Sequence, residues 1–263
     1  MKKMIALLLA ALMVLSMAAC ASKTAASDSD LAYVQDKGKL VIGITDFAPM
    51  DYKNESGEWI GFDADMAKAF AASIGVEAEF VEIDWDNKIL ELDSKTIDCV
   101  WNGMTLTDEV TSAMACSNAY CNNAQVVIVP ADKADQYQTV ESVKDLTFAA
   151  EAGSAGEAEL TALGYTVTPV KAQSDALMEV AAGTSDAAVI DSLMAAAMVG
   201  EGTGYANLTY TCGLNSEEYG VGFRKGSDLA QKLNDFFKSA YADGSMMATA
   251  ETYGVQAAVI EQK

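Results

Sequence analysis

The chain of 263 residues contains no histidine. This removes the commonest general base and the commonest metal ligand, and it rules out a Ser-His-Asp triad. Arginine is nearly absent too: Arg224 is the only one. The five cysteines form no C-x-x-C pair, which argues against a zinc or redox motif. Cys99 sits in an apolar run and reads as a core residue, whereas a disulfide among Cys116, Cys121 and Cys212 stays open. Beyond the first nineteen residues no apolar run is long enough to span a bilayer. Positive charge is scarce, with 17 Lys and Arg against 38 Asp and Glu, for a formal charge of −21. Such acidity argues against a nucleic acid partner and against an electrostatic membrane patch. What is abundant is apolar: 51% of the residues are hydrophobic and only three are proline, as in a well-packed globule.

The chain opens on Lys2 and Lys3, followed by a run over 4–19 in which only Ser16 is polar. A basic start and a short apolar stretch ending in small residues form an export signal over 1–19. The run is shorter than the roughly 20 residues of a spanning helix. It ends Ser16-Met17-Ala18-Ala19-Cys20, which resembles a bacterial lipobox although Met17 departs from the usual Leu. The resemblance implies lipidation of Cys20, and two acyl chains hold a membrane stably where one does not. The other reading is an ordinary signal peptide with a chance cysteine. Residues 20–30, built of small and polar types, are expected to form a flexible lipid-anchored tether.

Residues 39–44 (KLVIGI) read as a buried strand. Residues 63–74 read as an amphipathic helix with Phe62, Met66, Ala69 and Phe70 on one face and Asp63 as N-cap. Residues 77–83 alternate like a strand, 86–92 look helical, and 98–101 form a short strand leading through Gly103 and a Thr-rich turn into a helix near Asp108. This β-α order predicts an α/β domain with a mainly parallel sheet. After a strand at 125–130 and a polar stretch at 131–145 the alternation restarts. Strands at 147–150, 166–170 and 187–190 each precede a helix. A strand at 219–223 and helices at 228–242 and 246–253 close the chain. The prediction is two α/β lobes in succession with a helical return.

Several segments then fall into a familiar order: LVIGITDFAPMDY, GEWIGFDADMAKAFA, IDWDNKILELDSKTIDCVWNGMTLTDE, CSNAYCNNAQVVIV, FAAEAGSAGE, SDAAVID and SEEYGVGFRKGS. Together they resemble the extracellular substrate-binding proteins of polar amino acid ABC importers, bacterial solute-binding protein family 3, over about residues 35–255. The resemblance implies a periplasmic-binding-protein-like type II clamp, two α/β lobes joined by two hinge crossovers. Lobe one would be 31–125 plus 217–263, lobe two 126–216, and the crossovers would lie near 122–126 and 213–219. A small ligand, an amino acid or amine, would close the lobes, and the permease of an ABC importer would sense the closed form. The protein would be an extracytoplasmic monomer, touching the outer face of the membrane only through its lipid, with no cofactor, metal or catalytic residue. An exported enzyme of the same fold, such as a dehydratase, is the competing reading; it would need a carboxylate pair, which Asp46, Glu151 and Asp191 could supply.

The resemblance also assigns site residues. Phe47 and Trp85 stand where aromatic walls flank the ligand, or else they are core aromatics. Asn102, Gly103, Met104 and Thr105 match a turn that offers backbone groups and a hydroxyl to the ligand carboxylate, or else a plain strand-to-helix turn capped by Thr105 or Thr107. Gly153 and Ser154 match a helix N-terminus that grips the same carboxylate. Asp191 stands where a carboxylate holds the ligand's α-ammonium, or else it is a helix N-cap. Glu151 falls in the side-chain pocket, with Asp46 as a further acid. One feature departs from the family: Val110 occupies the place of the arginine that clamps the ligand carboxylate. Arg224, at the end of a strand, reads as a surface residue and does not replace it. Acids, aromatic walls and no arginine would favour a cationic ligand.

Overall fold

The computed structural model describes residues 29–263. The export signal, Cys20 and most of the tether lie outside the described residues. The expected tether ends early, because Ser29 already caps the first helix, α1 (Asp30–Lys37), by accepting from the Ala32 N–H. Ser29 also donates to Asp228 at 2.6 Å, and the Leu31 N–H reaches the same carboxylate.

Strand β1 (Lys39–Ile44) is an apolar run because both its faces are covered. Its period of two sends Leu40, Ile42 and Ile44 into one core cluster and Val41 into another. Each such buried side chain contributes about 1.5–3 kcal/mol. A small hairpin, β2 (Tyr52–Lys53) and β3 (Trp59–Ile60), leads to α2 (Phe62–Ser73). Asp63 is not the cap of α2. The cap position is Gly61, at φ 128°, and the first helical N–H groups donate to the carbonyls of Pro49 and Met50. With its N-terminus satisfied by backbone, Asp63 sits on the second helical residue and turns fully inward.

The lobe continues with β4 (Glu77–Glu82), α3 (Lys88–Asp93), β5 (Cys99–Thr105), α4 (Asp108–Ala113) and the short strands β6 (Ala115–Cys116) and β7 (Cys121–Asn123). Ala124 alone separates β7 from β8 (Gln125–Pro130), the first strand of a second sheet. That sheet is completed by β9 (Thr147–Glu151), β10 (Thr166–Val170), β11 (Ala187–Asp191) and β12 (Leu208–Gly213), with helices α5 (Ala155–Leu163), α6 (Gln173–Ala182) and α7 (Ser192–Met198). The chain then returns through β13 (Glu217–Phe223), α8 (Leu229–Ala242) and α9 (Ser245–Thr252).

The strand orders are β4-β1-β5-β13-β6, with β7 also on β13, and β10-β9-β11-β8-β12. Three strands of each sheet run parallel, as expected: β4, β1 and β5 in the first, and β10, β9 and β11 in the second. The others depart from that expectation. Strand β13 is antiparallel to β5, and β8 is antiparallel to β11 and β12. Both β8 and β13 enter from the opposite sheet rather than over a helix, so the parallel rule of the βαβ unit does not govern them. Gln125, expected in the first lobe, already pairs with Asp191 in the second sheet. The chain thus crosses at 123–125 and returns at 213–217.

The disulfide left open does not form: Cys99, Cys116, Cys121 and Cys212 are all free thiols, and Cys99 is buried as expected. One further expectation changes. Arg224 is buried at 8% exposure rather than lying at the surface. It pairs with Asp30 at 3.0 Å and Asp98 at 3.3 Å and donates to the Ile97 carbonyl, tying α1 to the first sheet.

Candidate functional site

A cavity of about 250 Å³ lies between the two sheets, at the carboxyl ends of their parallel strands. The first lobe supplies Trp85, Lys88, the end of β5 from Asn102 to Thr105, and Val110 on α4. The second supplies Glu151 from the end of β9, the start of α5, Gln173 from the start of α6, and Asp191 from the end of β11; Gln125 enters from the crossover. The lobes touch here. A Cβ on Gly153 would lie 2.5 Å from the Asp86 Cα, and Lys88 Nζ donates to the Gly153 carbonyl at 2.9 Å.

Eight of the ten expected ligand residues line this cavity: Trp85, Asn102, Gly103, Met104, Thr105, Glu151, Ser154 and Asp191. Phe47 and Asp46 do not. Phe47 is buried behind Gly103, edge-on to Tyr219 at a ring separation of 6.3 Å, which is the core-aromatic alternative. A Cβ on Gly103 would come within 2.5 Å of the Phe47 ring, so glycine is what lets the ring sit there. Asp46 is exposed and stands outside the cavity.

The strand end is held from behind. The Asn102 side-chain amide is consumed by the Thr45 backbone and hydroxyl and by the Asp51 carboxylate at 2.8 Å. Asn102 therefore positions β5, and its amide has nothing left for a ligand. The Gly103 N–H donates to Asp63 at 2.7 Å, and the Tyr120 hydroxyl donates to the same oxygen. The cap of α4 is Thr107, while the Thr105 hydroxyl donates to Glu217.

At the start of α5 the expected anion grip is largely occupied. The Gly153 N–H donates to the Glu157 carboxylate at 2.7 Å, the Ser154 N–H donates to the Glu151 carbonyl, and the Ser154 hydroxyl caps the helix at the Glu157 N–H. Asp191 precedes α7 but makes no capping bond. Its carboxylate instead accepts from Asn123, Gln125 and Gln173. Asn123 and Gln125 donate at the same time to Glu217, so both crossovers meet at this acid.

Burial dominates the electrostatics. It pushes Glu151 up to about 8, aided by the nearby Asp191 charge. It pushes Asp191 up to about 7, aided by Glu217. One oxygen of Glu151 has no hydrogen-bond partner among the described residues. Burial also lowers the ammonium of Lys88, the only basic residue lining the cavity. Lys88, Gln125 and Gln173 carry no motif signal. Lys88 lies within a stretch that reads simply as helical, and the two glutamines stand at element starts, where a polar residue is unremarkable.

Two α/β lobes joined by two crossovers, with a small cavity between them, define a type II ligand-binding clamp. The chain belongs to the bacterial extracellular solute-binding proteins, family 3, whose family model matches residues 40–256. It is 29% identical to the arginine-binding extracellular protein ArtP of Bacillus subtilis, across 94% of this chain and 95% of that protein. It is 31% identical to the ABC transporter glutamine-binding protein GlnH of Bacillus subtilis, across 93% and 94%. Among solved structures, a mutant of ArgBP from T. maritima superposes with a TM-score of 0.80 at 30% identity, covering 86% of this chain and 99% of that one. These relatives are named as binding proteins, not as enzymes. No described helix is long and apolar enough to cross a membrane.

Proposed function

We propose that this protein captures a small amino acid or amine carrying a positive side-chain charge and delivers it to the permease of an ABC importer, while a lipid on Cys20 keeps it at the outer face of the membrane. The observation that carries the ligand class is the pair of buried carboxylates, Glu151 and Asp191, in a cavity where Val110 lines the wall and no arginine does. A buried carboxylate lacking a partner is costly, and a ligand ammonium or guanidinium relieves that cost. Trp85 forms an adjacent wall, its ring already carrying the Lys88 ammonium at 5.0 Å from the centroid. The arginine-binding name of one relative supports the same class. The test is a thermal-shift panel of amino acids and amines on the purified protein. Lysine, arginine, ornithine or their amines should raise the melting temperature; a response to aspartate and glutamate alone would overturn the reading.

A further inference from the structure

Lys88 is a buried ammonium over the Trp85 ring, 5.0 Å from its centroid, with no ion-pair partner among the described residues. Its side chain is buried at 6% exposure and lines the cavity. Its Nζ donates only to neutral acceptors, the Trp85 carbonyl at 3.2 Å and the Gly153 carbonyl at 2.9 Å. Among the described residues no carboxylate forms an ion pair with it. Asp86, Glu109 and Glu151 act on it only at longer range. A buried ammonium without a counter-ion costs as much as a buried carboxylate without one.

The same cavity holds Glu151, a buried carboxylate with an unpaired oxygen. Lys88 and Glu151 thus line one small space, and neither forms an ion pair among the described residues. The other anion grip, the N-terminus of α5, is filled by Glu157. Arg224 is committed to Asp30 and Asp98 and does not line the cavity.

We propose that Lys88 is the anchor for the ligand's carboxylate, so that the ligand is an intact amino acid with a cationic side chain and not a decarboxylated amine. This rests on the amino-acid-binding function proposed above and narrows its ligand. A compact ammonium gives a single-point charge contact rather than the bidentate grip of an arginine.

The experiment is calorimetry with two matched pairs, L-lysine against cadaverine and L-arginine against agmatine, on the wild-type protein and on Lys88→Met and Lys88→Arg. Methionine keeps the stem's volume, and the ligand-free melting temperature of each variant reports folding. In the wild type the amino acid of at least one pair should bind more tightly than its amine. Lys88→Met should weaken the amino acid by about tenfold to a hundredfold, while the amine, freed from a like charge, should bind more tightly. Lys88→Arg should restore part of the amino acid's affinity. Equal losses for both members of a pair, in a variant of unchanged melting temperature, would overturn the anchor role and leave the binding function standing. If no amino acid or amine binds the wild type, the function itself falls, and the anchor with it.

Discussion

A cationic ligand should bind this protein with release of protons, and Glu151 sets the size of the effect. Without ligand its carboxyl group is held at about 8 by burial, so at neutral pH it is mostly protonated. A ligand cation favours the ionised form, and binding drives the proton off. For one group at about 8 that is fully ionised in the complex, affinity rises about fiftyfold between pH 6 and pH 8, or ~2.3 kcal/mol. Asp191, at about 7, adds to the rise over the lower part of that window. Folding responds in the opposite sense. Because the folded value of Glu151 lies above its ordinary 4.5, its contribution to the ligand-free fold is full below that value and is lost as pH rises through about 8. Calorimetry with L-arginine or L-lysine in buffers of different ionisation enthalpy measures the released protons directly. Glu151→Gln should flatten much of the pH dependence and reduce the release. A wild-type affinity that is flat or falls from pH 6 to pH 8, with no proton release, would refute the electrostatic account of the cavity.

Gly153→Ala should weaken ligand binding more than tenfold, since the new Cβ would meet the Asp86 Cα at 2.5 Å and hold the lobes apart. The unfolding free energy without ligand should fall only by the left-handed backbone cost at φ 70°, about 1–2 kcal/mol; unchanged affinity would mean that closure does not bring these atoms together. Arg224→Met leaves the fully buried Asp98 with Lys37 as its remaining ion-pair partner and the Val41 N–H as a donor, and denaturant unfolding should show a loss of about 3 kcal/mol. A loss under about 0.5 kcal/mol, the range of ordinary surface changes, would contradict the network. Cys20→Ser should move the protein from the membrane fraction to the soluble fraction of its host; retention on the membrane would rule out the lipid anchor.

The alternation of elements was legible because apolar periodicity is local. Strand β1 and helix α2 carry their own patterns, and the restart after residue 145 marks the second sheet. Strand direction was not legible for β8 and β13, since it depends on where the chain comes from and not on the residues in the strand. The site was legible where a family motif fixes backbone shape, as at Gly103, or places an acid at a strand end, as at Glu151 and Asp191. It was illegible where role depends on distant packing. Phe47 and Asp63 both look like site or cap residues until Gly103 and Gly61 let neighbouring groups approach. Arg224 sits beside Lys225 and Gly226 like a surface turn, yet its partner Asp30 lies 194 positions earlier in the chain. Asn102 is in the right place, but its amide faces Thr45 and Asp51, a pairing that no local pattern announces.

The charges in the cleft also explain why a clamp of this kind waits for its ligand. With the lobes in contact, Glu151, Asp191 and Lys88 are all nearly excluded from water. Neither Glu151 nor Lys88 has an ion-pair partner among the described residues, and Asp191 is pressed against Glu217 through the shared amides of Asn123 and Gln125. Ionising such groups out of water costs several kcal/mol each, which is why Glu151 stays largely protonated there, and opening rehydrates them. A ligand that brings complementary charge removes that cost only in the closed form, and differential affinity of this sort is what shifts a two-state equilibrium. Because Asn123 and Gln125 stand on one crossover and Glu217 on the other, Asp191 in the cavity is linked through those amides to both strands that join the lobes. Recognition and closure then draw on one set of interactions. On the proposed cationic preference, a ligand of the wrong charge should fail at both, since it leaves the buried acids unmatched and the open form favoured.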